Sequence, residues 1–415
     1  VRELLDLAQA NRWMVIPVAG GTSVAGHLDC PVTEQPILSV NLTRMNQLLH
    51  LDTTSQLATF GAGTPGPLVE AQLRAQGYTL GHFPQSFEYS TVGGWVVTRS
   101  SGQQSLRYGR IEQLFAGGHM ETPVGPLDLP TFPAASAGPD LRELVLGSEG
   151  RFGILTEATV RVSPLPEHES FHAIFLPDWD HAEAAVRALV QRKLPLSMLR
   201  LSNGIETETN LTIAGHERLV GAMEKYLAWR GCGAGKCMLM LGVSADQRTA
   251  RHALREARRL LAQYGAVYIG TAMGSKWATN RFKGPYLRNT LWELGYAADT
   301  VETAVDWPQV KPLMLAMEQA ARDVFGSYGE PVHAFTHLSH LYPQGSSIYS
   351  QYVWPIAPGG FAPNFERWQA LKAAVADAIA AHGGTVSHQH GVGRDHAAHL
   401  ADEKGPLGMA TLAGL

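Results

Sequence analysis

The chain has 415 residues, with 33 Lys and Arg, 37 Asp and Glu, and a formal net charge of −4. This length allows two domains and a large core. The small net charge excludes overall charge as the basis for binding nucleic acid or an anionic membrane. The 43 glycines among 415 residues are a larger share than the usual value of about 7%. This excess of glycine is typical of a loop-rich binding protein.

Cys30, Cys232 and Cys237 do not have the spacing of a metal motif, so we expect no metal and interpret them as reduced thiols of a cytoplasmic protein. The sequence contains no run of about 18 apolar residues that would predict a membrane span, and it shows no signal peptide. A peroxisomal location would require a targeting signal outside these residues.

Residues 1–162 alternate short β-type segments with Gly/Pro turns, and one helix is predicted at Leu68–Gly77. The predicted strands are MVIPVAG (14–20), PILSVNL (36–42), SQLATFGAG (55–63) and ILTEATVRV (154–162). They are too irregular for a simple βαβ series, so the pattern favours an α+β fold. The turn-rich SPLPE at 163–167 predicts a domain boundary.

After this boundary the pattern changes to strands that are each followed by an amphipathic helix, which predicts a layered sheet with helices on one face. The predicted elements are FHAIFLP (171–177), a helix around His181–Gln191, KCMLMLGV (236–243), a helix around Asp246–Tyr264, SSIYSQYVWPI (346–356) and the helix Phe365–His382. The segment TVSHQHGVG (385–393) follows.

Three Gly/Ser/Thr-rich segments next to β-type sequence are the most informative motifs: Pro17–Gly26, Pro84–Gly109 and Leu146–Thr156. Glycines let a backbone approach a ligand, and consecutive free N–H groups can hold an anion. A single Gly-Gly turn is more often only a turn. The first segment also lacks the G-x-G-x-x-G fingerprint of a Rossmann nicotinamide site. Together, the three segments indicate one large cofactor held in several places.

His388, Gln389 and His390 lie just before Gly391. Two histidines at i and i+2 in an extended segment would point the same way, and they could act as acid/base groups or anion donors. A metal site is less favoured, because no Cys or carboxylate clusters with them in sequence. A surface His-rich turn is the plainer alternative.

Tyr349 lies in a predicted strand, where a tyrosine is usually core packing, but a phenol can also serve as a general acid. Arg200 and Arg288 lie in apolar surroundings. Each could be paired with a carboxylate or could grip an anionic substrate. The sequence alone favours the salt bridge.

Five segments in this order resemble alkyldihydroxyacetonephosphate synthases, a family of vanillyl-alcohol-oxidase-type flavoproteins. They are PVAGGTSVAG, PQSFEYSTVGGWVVTRSSG, YGRIEQL, AGPDLRELVLGSEGRFGILTEATVRVSPLPE and SHQHGVG. The resemblance covers nearly the whole chain and is densest over residues 14–165. The FEYSTVGGWVVTR run and the His-rich motif are more particular to the synthases, whereas the three loops occur across the wider flavoprotein class.

The resemblance implies a two-domain FAD-binding fold of the PCMH type with a cap domain, in which an antiparallel sheet is covered by helices. It places the FAD-binding domain at residues 1–165, the cap or substrate domain at 166–365, and a C-terminal helical segment with the SHQHG motif at 366–415. The FAD is expected to be non-covalent, because Thr22 stands where flavin-attaching relatives often carry a histidine. The family also continues into a further short segment beyond the last residues of this chain.

The resemblance assigns roles residue by residue. Tyr349 matches a proton-donating tyrosine and Arg288 a substrate-binding arginine. Arg200 matches an arginine needed for activity, and His388 and His390 match the outer members of a triple-histidine motif, so these three join Tyr349 as catalytic candidates. The implied FAD contacts are Pro17, Val18, Ala19, Gly20, Gly21, Thr22, Ser23, Pro84, Gln85, Ser86, Ser90, Thr91, Gly93, Gly94, Val97, Thr98, Arg99, Ser100, Glu149, Gly150, Gly153, Ile154 and Leu155.

The family reaction exchanges the acyl group of acyl-dihydroxyacetone phosphate for a fatty alcohol through an adduct at the flavin N5, which gives an ether lipid precursor. Gln389 replaces the central histidine of the motif; it can donate a hydrogen bond to the substrate but cannot shuttle a proton. This departure keeps open an alternative, an FAD-dependent 2-hydroxy-acid dehydrogenase or oxidase acting on lactate or glycolate.

Expected partners are the lipid-like substrates, a second copy of the chain in a homodimer, and a membrane surface contacted peripherally, but no nucleic acid.

Overall fold

The computed structural model describes residues 1–215 and 217–415 and divides into two compact units. Unit 1 contains Val1–Leu165 and Gln389–Asp395, and unit 2 contains Pro166–His388 and His396–Leu415. The chain therefore leaves unit 1 at Leu165, returns to it after His388 for seven residues, and ends in unit 2. None of the described helices is long and apolar enough to cross a membrane.

Unit 1 is built on a five-stranded antiparallel sheet in the order β3-β4-β8-β6-β7, with β1 and β2 as a separate parallel pair. Its strands are β1 (Met14–Val18), β2 (Ile37–Asn41), β3 (Leu48–Asp52), β4 (Leu57–Gly61), β5 (Tyr78–Thr79), β6 (Phe115–Thr122), β7 (Gly125–Leu129), β8 (Ile154–Arg161) and β9 (Ser163–Pro164). Its helices are α1 (Arg2–Ala10), α2 (Gly66–Arg74), α3 (Val92–Thr98), α4 (Ser105–Tyr108), α5 (Ile111–Leu114) and α6 (Arg142–Val145).

Helix α3 lies inside the second Gly/Ser/Thr-rich segment, and its ends follow from local sequence. Thr91 precedes it with extended backbone and accepts a hydrogen bond from the Gly94 N–H with its side chain, as N-cap residues do. Arg99 ends the helix in the left-handed conformation, with φ 53°. Trp95 is buried in the same cluster as Phe60 and Phe115. The helix is thus fixed to the core of unit 1 by its apolar side.

Unit 2 is built on a seven-stranded antiparallel sheet in the order β13-β10-β12-β11-β15-β16-β14. Its strands are β10 (His168–Leu176), β11 (Met198–Ser202), β12 (Cys237–Ala245), β13 (Val267–Gly270), β14 (Tyr296–Asp306), β15 (His333–Leu338) and β16 (Gly345–Pro355). Its helices are α7 (Trp179–Gln191), α8 (Gly204–Ile213), α9 (Glu217–Trp229), α10 (Gln247–Ala262), α11 (Ala272–Asn280), α12 (Leu287–Glu293), α13 (Trp307–Ser327), α14 (Phe361–Ala381) and α15 (Leu400–Gly414).

The prediction of helices on only one face of this sheet is wrong around β12, where all nine residues are buried. Phe171 and Met240 of the sheet share a core cluster with Leu211 of α8, Leu227 of α9 and Trp277 of α11. The opposite face carries α7 and α10. A strand buried on both sides reads as a continuous apolar run, as KCMLMLGV does, and the run alone does not reveal the second helical layer.

The other end of the sheet has one buried and one half-exposed face. Along β16, Ile348, Ser350 and Tyr352 are buried, and the Tyr352 hydroxyl lies 3.5 Å from the Met317 carbonyl of α13. Successive strand residues point to opposite faces. The alternate residues, such as Tyr349, are therefore on the face that α13 does not cover.

Candidate active site

A row of polar side chains crosses four neighbouring strands of unit 2 on the face that α13 does not cover. Three of them are buried and one, Tyr349, is half-buried. The strand register places Ser202 of β11 opposite His337 of β15, His337 opposite Tyr349 of β16, and Tyr349 opposite Glu302 of β14. Residues directly opposite one another point to the same face of a sheet with their Cβ atoms about 5 Å apart. We call Ser202, His337, Tyr349 and Glu302 the polar row.

Arg200 lies at one end of the polar row and is held by an ion pair, which was the interpretation favoured by the sequence. Its guanidinium donates to Glu206 Oε1 at 2.7 Å and to Ser202 Oγ at 3.2 Å. His337 Nδ1 lies 3.0 Å from both Glu206 Oε1 and Arg200. Burial would raise the pKa of Glu206, but Arg200 and His337 outweigh it and hold that pKa well below its usual value.

His337 and Tyr349 form a stacked pair in the middle of the polar row, with ring centroids 4.8 Å apart and planes 18° from parallel. Burial, and then the Arg200 charge, lower the pKa of His337, so its ring is neutral at neutral pH. Burial, assisted by Glu302 and Asp299, raises the pKa of Tyr349 to about 12. Tyr349 therefore keeps its proton at neutral pH and can donate it.

His388 lies at the other end of the polar row. Its Nδ1 is 3.1 Å from Glu302 Oε1, and its Nε2 is 2.7 Å from the Tyr342 hydroxyl. The His340 ring stacks on His388 with centroids 5.0 Å apart. One possible ligand atom from each of three residues lies within 4.8 Å of the other two: Glu302, His340 and His388. In the described part of the chain, this is the group of side chains that could hold a metal ion.

In unit 1 the first Gly-rich segment provides a row of open backbone N–H groups. Within the described residues, none of the N–H groups of residues 20–24 donates a hydrogen bond. Gly21 has φ +64°, and a Cβ there would meet nothing within 4 Å. Consecutive free N–H groups beside open space form an anion-binding turn, which fits the pyrophosphate of a dinucleotide cofactor.

The structure brings the three loops of unit 1 together. A Cβ on Gly20 would lie 2.0 Å from the Tyr89 carbonyl, and a Cβ on Gly150 would lie 3.3 Å from the Pro17 ring. The first loop therefore packs against both others. The second and third are joined at α3, because the Glu149 N–H donates to the Val97 carbonyl at 2.9 Å.

Glu149, one of the predicted FAD contacts, has the unusual φ of 54° for a non-glycine residue. Its carboxylate lies 3.1 Å from His27 Nε2 and accepts from the N–H groups of Val392 at 2.5 Å and Gly393 at 2.9 Å. Burial would raise the pKa of Glu149, but these partners outweigh it and lower it. Glu149 thus fixes residues 389–395 to the third loop.

The His-rich motif is not extended as predicted, because the backbone bends at residues 388–390. His388 belongs to unit 2, whereas Gln389 and His390 belong to unit 1. Gln389 Oε1 accepts a hydrogen bond from the Ser101 N–H at 3.1 Å.

Arg288 lies on the exposed helix α12 and makes no hydrogen bond or ion pair with any described residue. The structure thus joins Arg200, Tyr349 and His388 through the polar row, but not Arg288.

Several residues of these sites are not indicated by any sequence motif. Glu302 could be found only from strand register, and His340 and Tyr342 only from the folded connection between β15 and β16, because nothing in the local pattern sets them apart. His82 was also missed. It is buried beside Trp95, its Nε2 lies 3.2 Å from Ser100 Oγ, and burial followed by the Arg110 charge lowers its pKa to about 3.

Comparison with known proteins gives the class to which this fold and these sites belong. Residues 165–415 match the family model of FAD linked oxidases, C-terminal domain, and residues 1–127 match the FAD binding domain. The chain therefore belongs to the FAD-linked oxidase family. FAD is its cofactor, and the loops of unit 1 fit that role.

Among its relatives, the alkyldihydroxyacetonephosphate synthase of Dictyostelium discoideum is 30% identical over 95% of this chain and 66% of the relative. A solved alkyldihydroxyacetonephosphate synthase superposes with a TM-score of 0.81 at 29% identity, covering 93% of this chain and 69% of the other. p-Cresol methylhydroxylase, at 13% identity and a TM-score of 0.72, covers 98% of this chain and 82% of its own.

The comparisons confirm the resemblance to the synthases and the predicted α+β fold of PCMH type. The chain spans about two thirds of the length of the Dictyostelium relative.

Proposed function

We propose that the chain is an FAD-dependent alkylglycerone-phosphate synthase, which exchanges the acyl group of an acyl-dihydroxyacetone phosphate for a fatty alcohol in ether lipid biosynthesis. The similarity to synthases extends over both units rather than over the flavin-binding part alone. The observation that carries the proposal is Tyr349, a phenol held protonated between His337 and Glu302. The reaction needs a proton donor that does not ionise at neutral pH.

The proposed roles follow from the chemistry of each side chain. When bound, FAD supplies an electron-accepting ring nitrogen, N5, which makes exchange at the substrate carbon accessible. Residues 17–23, 84–100 and 149–155 hold this cofactor. Tyr349 donates a proton to the substrate. Burial, followed by the Arg200 charge, lowers the pKa of His337, so a neutral imidazole stacks on Tyr349.

The phosphate of the substrate requires a cation or strong hydrogen-bond donors. Arg288 is proposed for this role because its charge is not neutralised by any described residue. Gln389 and His390 are proposed as further donors. Gln389 can hold a phosphate or ketone oxygen through its amide N–H, since its Oε1 already accepts from Ser101.

The test is product analysis with the holoenzyme, acyl-dihydroxyacetone phosphate and a fatty alcohol that carries a heavy oxygen isotope. The proposal predicts an ether phosphate containing the heavy oxygen and one equivalent of free fatty acid, without consumption of an electron acceptor. Turnover of D-lactate or glycolate with an electron acceptor, and no ether, would instead indicate a hydroxy-acid dehydrogenase.

The same proposal includes peripheral membrane contact and a homodimer in the cytoplasm. Large apolar side chains between residues 286 and 296 are 44% to 67% exposed, namely Tyr286, Leu287, Trp292, Leu294 and Tyr296. Aromatic and aliphatic side chains of this kind insert into the lipid interface. Sedimentation with phospholipid vesicles and light scattering test the two statements separately.

A further inference from the structure

Three buried side chains of unit 2 meet at the end of the polar row, although they come from separate segments of the chain. Glu302 lies on β14, His340 in the connection between β15 and β16, and His388 at the point where the chain leaves unit 2. These residues are 2%, 4% and 6% exposed, respectively. One nitrogen or oxygen atom of each lies within 4.8 Å of the other two. Two imidazoles and a carboxylate are thus gathered where bulk water has little access.

The contact between Glu302 and His388 has the spacing of two metal ligands. Glu302 Oε1 lies 3.1 Å from His388 Nδ1, and in the described structure this contact lacks the geometry of a hydrogen bond. Carboxylate oxygens and imidazole nitrogens bind Zn²⁺ at about 2.0–2.2 Å, so two such ligands of one ion lie roughly 3 to 3.5 Å apart. The observed separation therefore fits two ligands of the same ion.

The Tyr342 hydroxyl contacts the opposite edge of the His388 ring, 2.7 Å from Nε2. An imidazole that binds a metal through one nitrogen carries a proton on the other and donates it to an outer partner, which fixes the orientation of the ring. With Nδ1 of His388 as the ligand atom, Nε2 carries the proton and the Tyr342 oxygen accepts it. Tyr342 thus supplies the outer contact that a metal-binding histidine needs.

Backbone hydrogen bonds hold the three residues in place independently of any ion. The His388 N–H donates to the Glu302 carbonyl at 3.4 Å. The His340 N–H donates to Ser347 Oγ at 3.2 Å, and the His340 carbonyl accepts from the Ser347 N–H at 2.8 Å. Glu302 lies within the eleven-residue pairing of β14 with β16. Ligands positioned by paired strands keep a more precise geometry than ligands on loops.

We propose that Glu302, His340 and His388 bind one divalent transition-metal ion, for which Zn²⁺ is the best match. Imidazole nitrogens favour zinc and related transition metals, whereas Mg²⁺ and Ca²⁺ prefer oxygen ligands. Two histidines and one glutamate are also the donor set of zinc sites that keep a further coordination position open for water. The ion ties His388 to β14 and thereby fixes the residue that precedes Gln389 in the His-rich motif.

The test is metal analysis and X-ray absorption at the zinc edge, with the FAD-loaded protein. The protein is stripped with a chelator, dialysed, and equilibrated with Zn²⁺ alone. The proposal predicts one zinc ion per chain, with nitrogen and oxygen neighbours at about 2.0–2.2 Å. Removal of the zinc should speed hydrogen exchange of the backbone at residues 385–388, because the ion no longer ties His388 to β14.

Three variants locate the ion. His340→Ala should lose the zinc and keep its FAD. His340→Cys should keep the zinc and give it a sulfur neighbour at about 2.3 Å, a signature that a purely structural role of His340 would not produce. Tyr342→Phe should weaken zinc binding about 10- to 100-fold. The matched control is His252→Ala, which removes an exposed histidine of α10 and should leave the zinc content unchanged.

Absence of bound zinc in the unmodified FAD-loaded protein would overturn the proposal. Zinc that stays in His340→Ala, or that has no sulfur neighbour in His340→Cys, would also overturn it, because the ion would then lie elsewhere, for example at the exposed Cys30. None of these measurements requires ether formation. Failure of the metal site and failure of the proposed function are therefore distinguishable.

Discussion

Tyr349 lies directly opposite Glu302 on neighbouring antiparallel strands, and its ring stacks on His337 on the other side. The phenol is thereby fixed between an imidazole that burial keeps neutral and a carboxylate that discourages ionisation. This relationship supports the proton-donor role proposed for Tyr349, and it gives the first prediction.

Tyr349→Phe should lower kcat by about 100-fold or more and leave FAD binding unchanged, because the ring and its stacking remain. The Tyr349 pKa is raised to about 12, so the protonated form persists as the pH rises through the usual tyrosine value of about 10. A pH–rate profile of the unmodified enzyme should therefore show no alkaline loss due to this group below pH of about 10. A Tyr349→Phe enzyme with normal kcat would contradict the assignment.

The Arg200–Glu206 pair predicts a pH-dependent stability. The folded pKa of Glu206 is lowered, so its stabilisation is present above the unfolded value of about 4.3 and is lost as the pH falls through the lower folded value. Glu206→Gln should cost about 3 kcal/mol at neutral pH and should flatten this acid dependence. Urea unfolding at several pH values measures both effects.

Glu208→Gln is the matched control for this experiment, because Glu208 is exposed on the same helix, α8. It should change the free energy of unfolding by less than about 0.5 kcal/mol. Equal losses in the two variants would mean that the buried pair has no special contribution.

Glu149 predicts a link between the third loop and the His-rich motif. Glu149→Ala removes the acceptor for the Val392 and Gly393 N–H groups, so these amides should exchange hydrogen faster, and retention of FAD should weaken. Hydrogen exchange by mass spectrometry and the flavin-to-protein ratio report the two effects. Glu3→Ala, which removes an exposed carboxylate of α1, should change neither.

Arg288 provides a test of substrate binding. Arg288→Ala should raise the KM for the phosphate substrate, because a phosphate loses a charged donor, and FAD affinity should stay the same. Arg259→Ala, which alters an exposed arginine of α10, serves as the control. Loss of FAD and substrate binding to the same extent would exclude a specific role for Arg288.

Local composition was sufficient to find the three loops of unit 1. Glycine, serine and threonine next to β-type sequence are a short-range signal, and packing of Gly20 against the Tyr89 carbonyl shows why a side chain at that position has no room. The motif resemblance also identified Tyr349, Arg200 and His388, which the sheet of unit 2 connects.

The remaining features depend on long-range register and could not be predicted from one sequence. Glu302 joins Tyr349 only because β14 pairs with β16 over eleven residues. The chain bends at residues 388–390, where it passes from unit 2 to unit 1, so the extended conformation predicted for the two histidines is wrong. Helices on the second face of β12 likewise follow from packing that the apolar run does not specify.

The central claim is the exchange reaction, and the most direct measurement follows the visible absorbance of the flavin without oxygen. The holoenzyme is mixed with acyl-dihydroxyacetone phosphate, and separately with D-lactate and glycolate. The account predicts bleaching by the acyl substrate alone, and recovery on addition of a fatty alcohol with formation of the ether product. Bleaching by a hydroxy acid, with recovery only on addition of an electron acceptor, would contradict it.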